Sequence, residues 1–196
     1  MTLESLAEQI KMCQLCPLAR ERTHAVPGEG NPRAEVLFVG EGPGRKEDES
    51  GRPFVGAAGK FLDEMLASVG WKRQDVFIAN VVKCRPPGNR DPEESEIHTC
   101  VTNYLVHQVN LIEPKLIVTL GRHSMKWFLK NPEPISRMHG KLKLITDKKT
   151  GKTQFILPLY HPAAALYNGG QRQTHLADFK KIPAIVEKIK TGTIGA

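Results

Sequence analysis

Two sets of residues in this chain could do chemistry. The first is four cysteines, Cys13-x2-Cys16 near the start and Cys84-x15-Cys100 in the middle. A thiol pair two residues apart can grip one metal centre through a short loop. Ligands from far along the chain would then staple the N-terminus to the body of the fold. The pattern is not the double Cys-x2-Cys of a zinc ribbon, although tetrahedral zinc on four thiolates is compatible with it. An iron–sulfur cube is wider than one ion and accepts thiolates from irregular spacings more readily. Disulfides or free thiols are the remaining readings.

The second set lies at the ends of separate apolar runs. Gly40-Glu-Gly-Pro-Gly44 follows the first run, and glycines there let the backbone approach a ligand closely. No Gly-Lys-[Ser/Thr] follows, and G-x-G-x-x-G is not met, so neither phosphate-binding fingerprint applies. Glu41, Glu47 and Phe54 share one long loop; Asn80 ends a second run and His161-Pro162 ends another. A planar amide-like ring can stack on Phe54 while Asn80 pairs with its polar edge. His161 can donate to a carbonyl oxygen that gains negative charge as the ring departs. Such a pocket suits an enzyme that acts on a base turned out of a nucleic-acid helix. Each side chain also has a plain structural reading, Phe54 as core, Asn80 as turn former and His161 as a packed or capping histidine.

The elements that must position these groups alternate. Leu3 to Met12 carries apolar residues at helical spacing and ends at the first cysteine pair. Glu35 to Gly40, Val76 to Asn80 and Leu116 to Leu120 are short continuous apolar runs, suited to strands buried on both faces. Helices are expected from Ala57 to Val69, from about Glu93 to Ile112, and after Gly121. Lys141 to Thr146 and Thr153 to Leu157 flank Asp147-Lys-Lys-Thr-Gly-Lys152 as a hairpin, and Phe155 to Leu159 delivers His161. The stretch Thr174 to Lys190 is helical, divided or kinked at Pro183. The order predicts an α/β fold with a parallel sheet between helical layers. Ligands in such sheets bind beyond the carboxyl ends of the strands, so the loops after Gly40, Asn80, Gly121 and His161 should share one edge.

Its 196 residues suit one domain spanning positions 1–196. No basic n-region with an apolar core opens the chain, and no run approaches a membrane span, so a cytoplasmic protein with reduced thiols and no membrane partner is expected. The net charge of +7 biases it toward a polyanion.

Gly40 to Asp48, Gly51 to Gly59, Asn80 to Pro92 and His161 to Ala165, with the N-terminal Cys-x2-Cys, resemble the motifs of family 4 uracil-DNA glycosylases. The resemblance runs from about Leu6 to Tyr167. It implies a three-layer α/β/α sandwich with a central four-stranded parallel sheet. It also implies a [4Fe-4S] cluster on Cys13, Cys16, Cys84 and Cys100, and excision of uracil from DNA, single- or double-stranded, to leave an abasic site. By the same resemblance Gly40, Glu41 and Gly42 lie against uracil, Phe54 stacks on it, Asn80 reads its edge, and His161 stabilises the departing anion. Glu47 is expected near the uracil C5 position, and Glu41, Asn80 and His161 form the catalytic set.

One position departs from the wider superfamily: the best-known uracil glycosylases carry a water-orienting Asp where Gly42 stands, as is normal in this family. A related branch traps the sugar through a histidine absent from Cys84 to Pro92, so a turning-over monofunctional hydrolase is expected. Arg85 and Arg90, with Arg45, Lys46, Arg52, Lys83 and Arg122 on the same loops, are the expected DNA-facing cations. His161 to Gln173 should enter the minor groove, with Leu166 or Tyr167 filling the vacated stack. Two other readings fit the same residues: a zinc-stapled nucleic-acid-binding module without activity, and a glycosylase for another deaminated base. The chain is expected to be a monomer; a sliding-clamp partner is not readable.

Overall fold

A computed structural model describes residues 1–146, 151–167 and 169–194. In chain order the elements are α1 (Leu3–Met12), β1 (Glu29–Gly30), β2 (Val36–Gly40), α2 (Arg45–Ser50), α3 (Ala57–Ala67), β3 (Phe77–Asn80), α4 (Glu94–Cys100) and α5 (Val106–Ile112). Then follow β4 (Leu116–Leu120), α6 (Arg122–Phe128), α7 (Ile135–Met138), β5 (Lys143–Thr146), β6 (Thr153–Leu159), α8 (Ala164–Tyr167), α9 (Gly169–Phe179) and α10 (Ile182–Lys190).

The sheet runs β1-β3-β2-β4-β6-β5. Its four central strands are parallel, as the alternating order predicts, with Gly40 beside Asn80 and Leu120 beside Leu159 at the carboxyl ends. The expected four-stranded sheet is widened to six by short antiparallel edges, β1 on β3 and β5 on β6. The turn expected over Asp147 to Lys152 falls largely on residues 147–150, outside the described residues.

Continuous apolar runs form the central strands because both faces are covered. Val36 and Phe38 face the layer of α3, α9 and α10, where Phe38 stacks on Phe179 at 5.4 Å between centroids. Leu37 and Val39, one residue out of phase, face the layer of α1 and α4–α5 with Leu6, Ile10 and Leu105. Leu6 and Ile10 put α1's buried stripe on that layer, and Thr2 and Ser5 cap its start reciprocally. The helix expected over Glu93 to Ile112 is one helical stretch in which Val101–Leu105 form a π turn directly after Cys100. Pro183 sits in the first turn of α10, where its missing N–H is harmless, and so separates α9 from α10.

Candidate active site and thiol site

A cavity of about 370 Å³ opens beyond the carboxyl ends of the parallel strands, within the usual range for small-molecule sites. Glu41, Glu47, Phe54, Asn80 and His161 all line it, brought together from three distant stretches of the chain. Gly42 also lines it, and Gly40 lies directly behind Asn80 and Phe54. A Cβ at Gly40 would lie 2.4 Å from Asn80 Oδ1 and 2.6 Å from Phe54 Cζ, so glycine is required for these side chains to converge.

The loop that carries Phe54 is held on two sides. Glu47 Oε1 accepts the Val55 and Gly56 N–H groups, each at 2.8 Å, and Oε2 accepts Gly44 N–H at 3.1 Å. The same carboxylate closes the first turn of α2, a short helix within the stretch expected to be one long loop. From the other side Arg73 donates to the carbonyls of Pro53, at 2.9 Å, and Phe54. Phe54 sits at φ 52°, a left-handed conformation uncommon for an aromatic residue. Its ring lies 5.7 Å from the His161 ring.

Asn80 is 2 % exposed, and its Oδ1 has no protein partner. A buried amide oxygen left unpaired costs about 1–3 kcal/mol, and at the cavity wall it is open to a donor from a ligand. His161 Nδ1 accepts the Ala163 N–H at 3.2 Å, which leaves the ring proton on Nε2. Burial drives the His161 pKa down to about 4; His175 adds to the shift and Glu47 opposes it. At neutral pH this is an uncharged imidazole with one N–H to give.

Glu41 is the second carboxylate of the cavity, half-buried and without a backbone hydrogen bond to its oxygens among those described. His123 Nε2 stands 3.7 Å from it and 3.2 Å from Asp91. Burial pushes the Glu41 carboxyl up; Asp91 adds to this, and His123 and Arg122 oppose it.

The four cysteines are free thiols within one layer of the core. Burial pushes Cys16, Cys84 and Cys100 up, Cys100 to about 12, and the thiols act on one another's titration across the gap from α1 to α4. Among the described residues no three of these sulfurs lie within 4.8 Å of one another. Four thiols are soft donors of the kind that hold zinc or an iron–sulfur cluster. Arg22 spans the site, donating to Cys84 Sγ at 3.0 Å and to the Lys11 and Cys13 carbonyls at 2.9 and 2.7 Å.

The expected DNA-facing cations divide. Arg45 and Lys46 extend from exposed α2, and Arg85 donates to Asn89 Oδ1 at 2.7 Å on the cavity rim. Arg90 spends its guanidinium on both oxygens of buried Glu96, Arg52 pairs with Glu29, and Arg122 with Asp91. Lys83 is a correction: it is 1 % exposed and faces the interior, where no phosphate can reach it. Leu166 and Tyr167 stand out on α8, 47 % and 91 % exposed, just beyond His161. Nothing in the sequence singles out Arg73, because a surface-type arginine looks alike wherever it falls; Asn89 lies within the Asn80 to Pro92 motif but carries no individual signal.

The chain matches the family model described as the Uracil DNA glycosylase superfamily over residues 27–182. It is 50 % identical over 198 aligned positions to the type-4 uracil-DNA glycosylase of Sulfurisphaera tokodaii, covering 98 % of this chain and 89 % of that protein. Similar proteins of the same printed name occur in Saccharolobus solfataricus, at 47 % identity over 92 % of this chain and 84 % of that one, and in Archaeoglobus fulgidus, at 46 % over 95 % and 94 %.

Proposed function

The chain belongs to the uracil DNA glycosylase superfamily, and from that premise we propose that it hydrolyses the N-glycosidic bond of uracil turned out of DNA, leaving an abasic site. The observation that carries this reading is the orphaned Oδ1 of buried Asn80 in a cavity roofed by Phe54. Uracil supplies what is missing: an N3–H for the amide oxygen and a flat face for the ring.

In the reaction the C1′–N1 bond breaks with its electron pair leaving on the base, and the oxygen of water bonds to C1′ while the proton that water loses passes through solvent to the departed uracil anion. Negative charge gathers on a uracil carbonyl oxygen, and His161 Nε2–H is the donor that meets it. Because the imidazole is neutral, it stabilises the anion without giving up a proton. Gly42 offers no carboxylate, and Glu47 is occupied by three backbone N–H groups. Glu41 is then the cavity carboxylate left to orient the water. Glu47 serves by shaping the loop near the C5 edge of uracil.

The four thiols are the ligands of a [4Fe-4S] cluster, supported by a donor set of four cysteines gathered in one layer of the core. Bound there, the cluster supplies a cross-link between the N-terminal helix and the segment after Asn80; hydrolysis itself transfers no electrons. The substrate is uracil-bearing DNA, single- or double-stranded, approached by Arg85, Arg45 and Lys46, with Leu166 and Tyr167 filling the vacated stack. Arg90 contributes by bracing α4 through Glu96. The protein acts as a one-domain intracellular monomer; among the described residues no helix is long and apolar enough to cross a membrane.

The test is release of free uracil from a uracil-containing oligonucleotide under single turnover. Asn80→Ala and His161→Ala should each lose on the order of 10²–10³ in rate. Wild-type rates in both variants would overturn the reading.

A further inference from the structure

Asn80 carries a problem that its side chain does not reveal. Its N–H-bearing neighbour Val81 donates inward to Gly40 O, at 2.9 Å, so the Asn80 carbonyl points outward to the flank of β3 covered by β1. There the pairing sets Glu29 opposite Ile78 and Gly30 opposite Phe77, and Asn31 N–H reaches Val76 O at 2.9 Å. Continuing that register by two residues brings Pro27 opposite Asn80, at the position whose N–H would bond the Asn80 carbonyl. Proline has no N–H. A buried carbonyl at the end of the strand would be left without a ladder donor.

Lys83 fills the gap. Its Nζ donates to Asn80 O at 2.7 Å and to Gln108 Oε1 at 2.6 Å, and Gln108 Nε2 donates to Pro27 O at 2.6 Å. The lysine backbone is fixed as well: its N–H donates to Cys100 Sγ at 3.2 Å and its carbonyl accepts Val26 N–H at 2.7 Å. One buried residue thus joins the base-reading strand end and the α5 helix through its side chain and the thiol site through its backbone.

We propose that Lys83 is a positioning residue for Asn80, standing in for the ladder donor that Pro27 lacks and setting the amide at the height where it meets the base. The proposal rests on Asn80 reading uracil, and it concerns how that residue is held. A misplacement of about 1 Å at a reacting centre can cost about 10²-fold in rate.

The test compares Lys83→Met, which keeps length and removes the donors, with wild type. It uses the iron-loaded protein, with iron content and melting temperature recorded. Single-turnover excision should fall about 10- to 100-fold with KM for DNA little changed. In an Asn80→Ala background the same substitution should cost less than about 3-fold, because the residue being positioned is gone. Adding Pro27→Ala to Lys83→Met restores an N–H at the ladder position and should recover part of the rate. Amide exchange at Val81 and Val82 should quicken in Lys83→Met and slow again in the double variant. Undiminished cost in the Asn80→Ala background, or no recovery with Pro27→Ala, overturns the proposal. If Asn80→Ala itself keeps the wild-type rate, the reading of Asn80 fails instead, and amide exchange alone decides on Lys83. Should Lys83→Met not fold, Gln108→Leu removes the ammonium's other acceptor. A kcat loss there that vanishes with Asn80→Ala supports the proposal, and an unchanged kcat overturns it.

Discussion

The Arg73 guanidinium donates to the Phe54 carbonyl, and so the aromatic face of the cavity is held from behind by a residue that does not line it. Arg73 is itself fixed, at 2.5 Å to Glu29 and 2.7 Å to Asp63. Phe54 in turn leans on Gly59, where a Cβ would lie 1.7 Å from the Phe54 carbonyl oxygen. A non-glycine residue in the left-handed region costs on the order of 1–3 kcal/mol, and these contacts offset that cost.

Removing the latch should therefore loosen the stacking face before it unfolds the protein. Arg73→Ala is expected to weaken inhibition by free uracil about 10-fold and to lower stability by about 1–3 kcal/mol. Millimolar guanidinium, set against equal sodium chloride, should restore uracil inhibition. Inhibition constants and melting curves measured together check this; unchanged uracil inhibition in Arg73→Ala would show that Phe54 holds its place without help.

A neutral His161 has a definite pH signature. Its folded pKa of about 4 lies below the ordinary 6.5, so the folded protein binds fewer protons than the unfolded chain between those values. Stability from this group is fully present above pH 6.5 and declines as pH falls toward 4, by at most on the order of 3 kcal/mol. His161→Asn should lose stability less steeply than wild type over that window in parallel melts. The single-turnover rate should not fall between pH 6 and 8 on account of this group; a decline there that His161→Asn abolishes would mean the charged imidazole is the working form.

Much of this was legible in the sequence for a simple reason. Strands buried on both faces must be short apolar runs, so β2, β3, β4 and the buried end of β6 announce themselves, and with them Asn80 at the end of β3 and His161 after β6. Helix α2 does not: Arg45–Ser50 is polar throughout and is made by Glu47 and by Gly51 at φ 71° rather than by an apolar stripe. Lys83 reads as a DNA-facing cation because lysine is almost always a surface residue, and only the strand register exposes the missing proline donor beside it. The edge strand β1, two residues long, carries no periodicity to find.

Leu166 and Tyr167 are too exposed to be explained by packing, and they follow the His161 loop directly. If they fill the space left by the everted nucleotide, their value is the restacking of a duplex. The double substitution Leu166→Ala/Tyr167→Ala should slow excision from double-stranded DNA at least about 10-fold more than from single strands. An equal loss on both substrates would assign the pair to general DNA affinity.

The thiol site makes the last prediction, because Cys100 serves two partners at once. It is one of four cysteines in the same layer of the core, and it accepts the Lys83 N–H just beyond β3. A cross-link closing the long loop from Cys16 to Cys84 restricts the unfolded chain, and ligand binding to the folded state alone adds to that. Cys100→Ala should lower iron content and melting temperature together, and should speed amide exchange at Val81 and Val82. Arg22→Ala, which leaves all four sulfurs but removes the donor to Cys84, should bleach the visible absorption faster in air while the fresh protein keeps its iron. A Cys100→Ala protein with unchanged melting temperature and lowered turnover would move the thiols from holding the fold to taking part in the reaction.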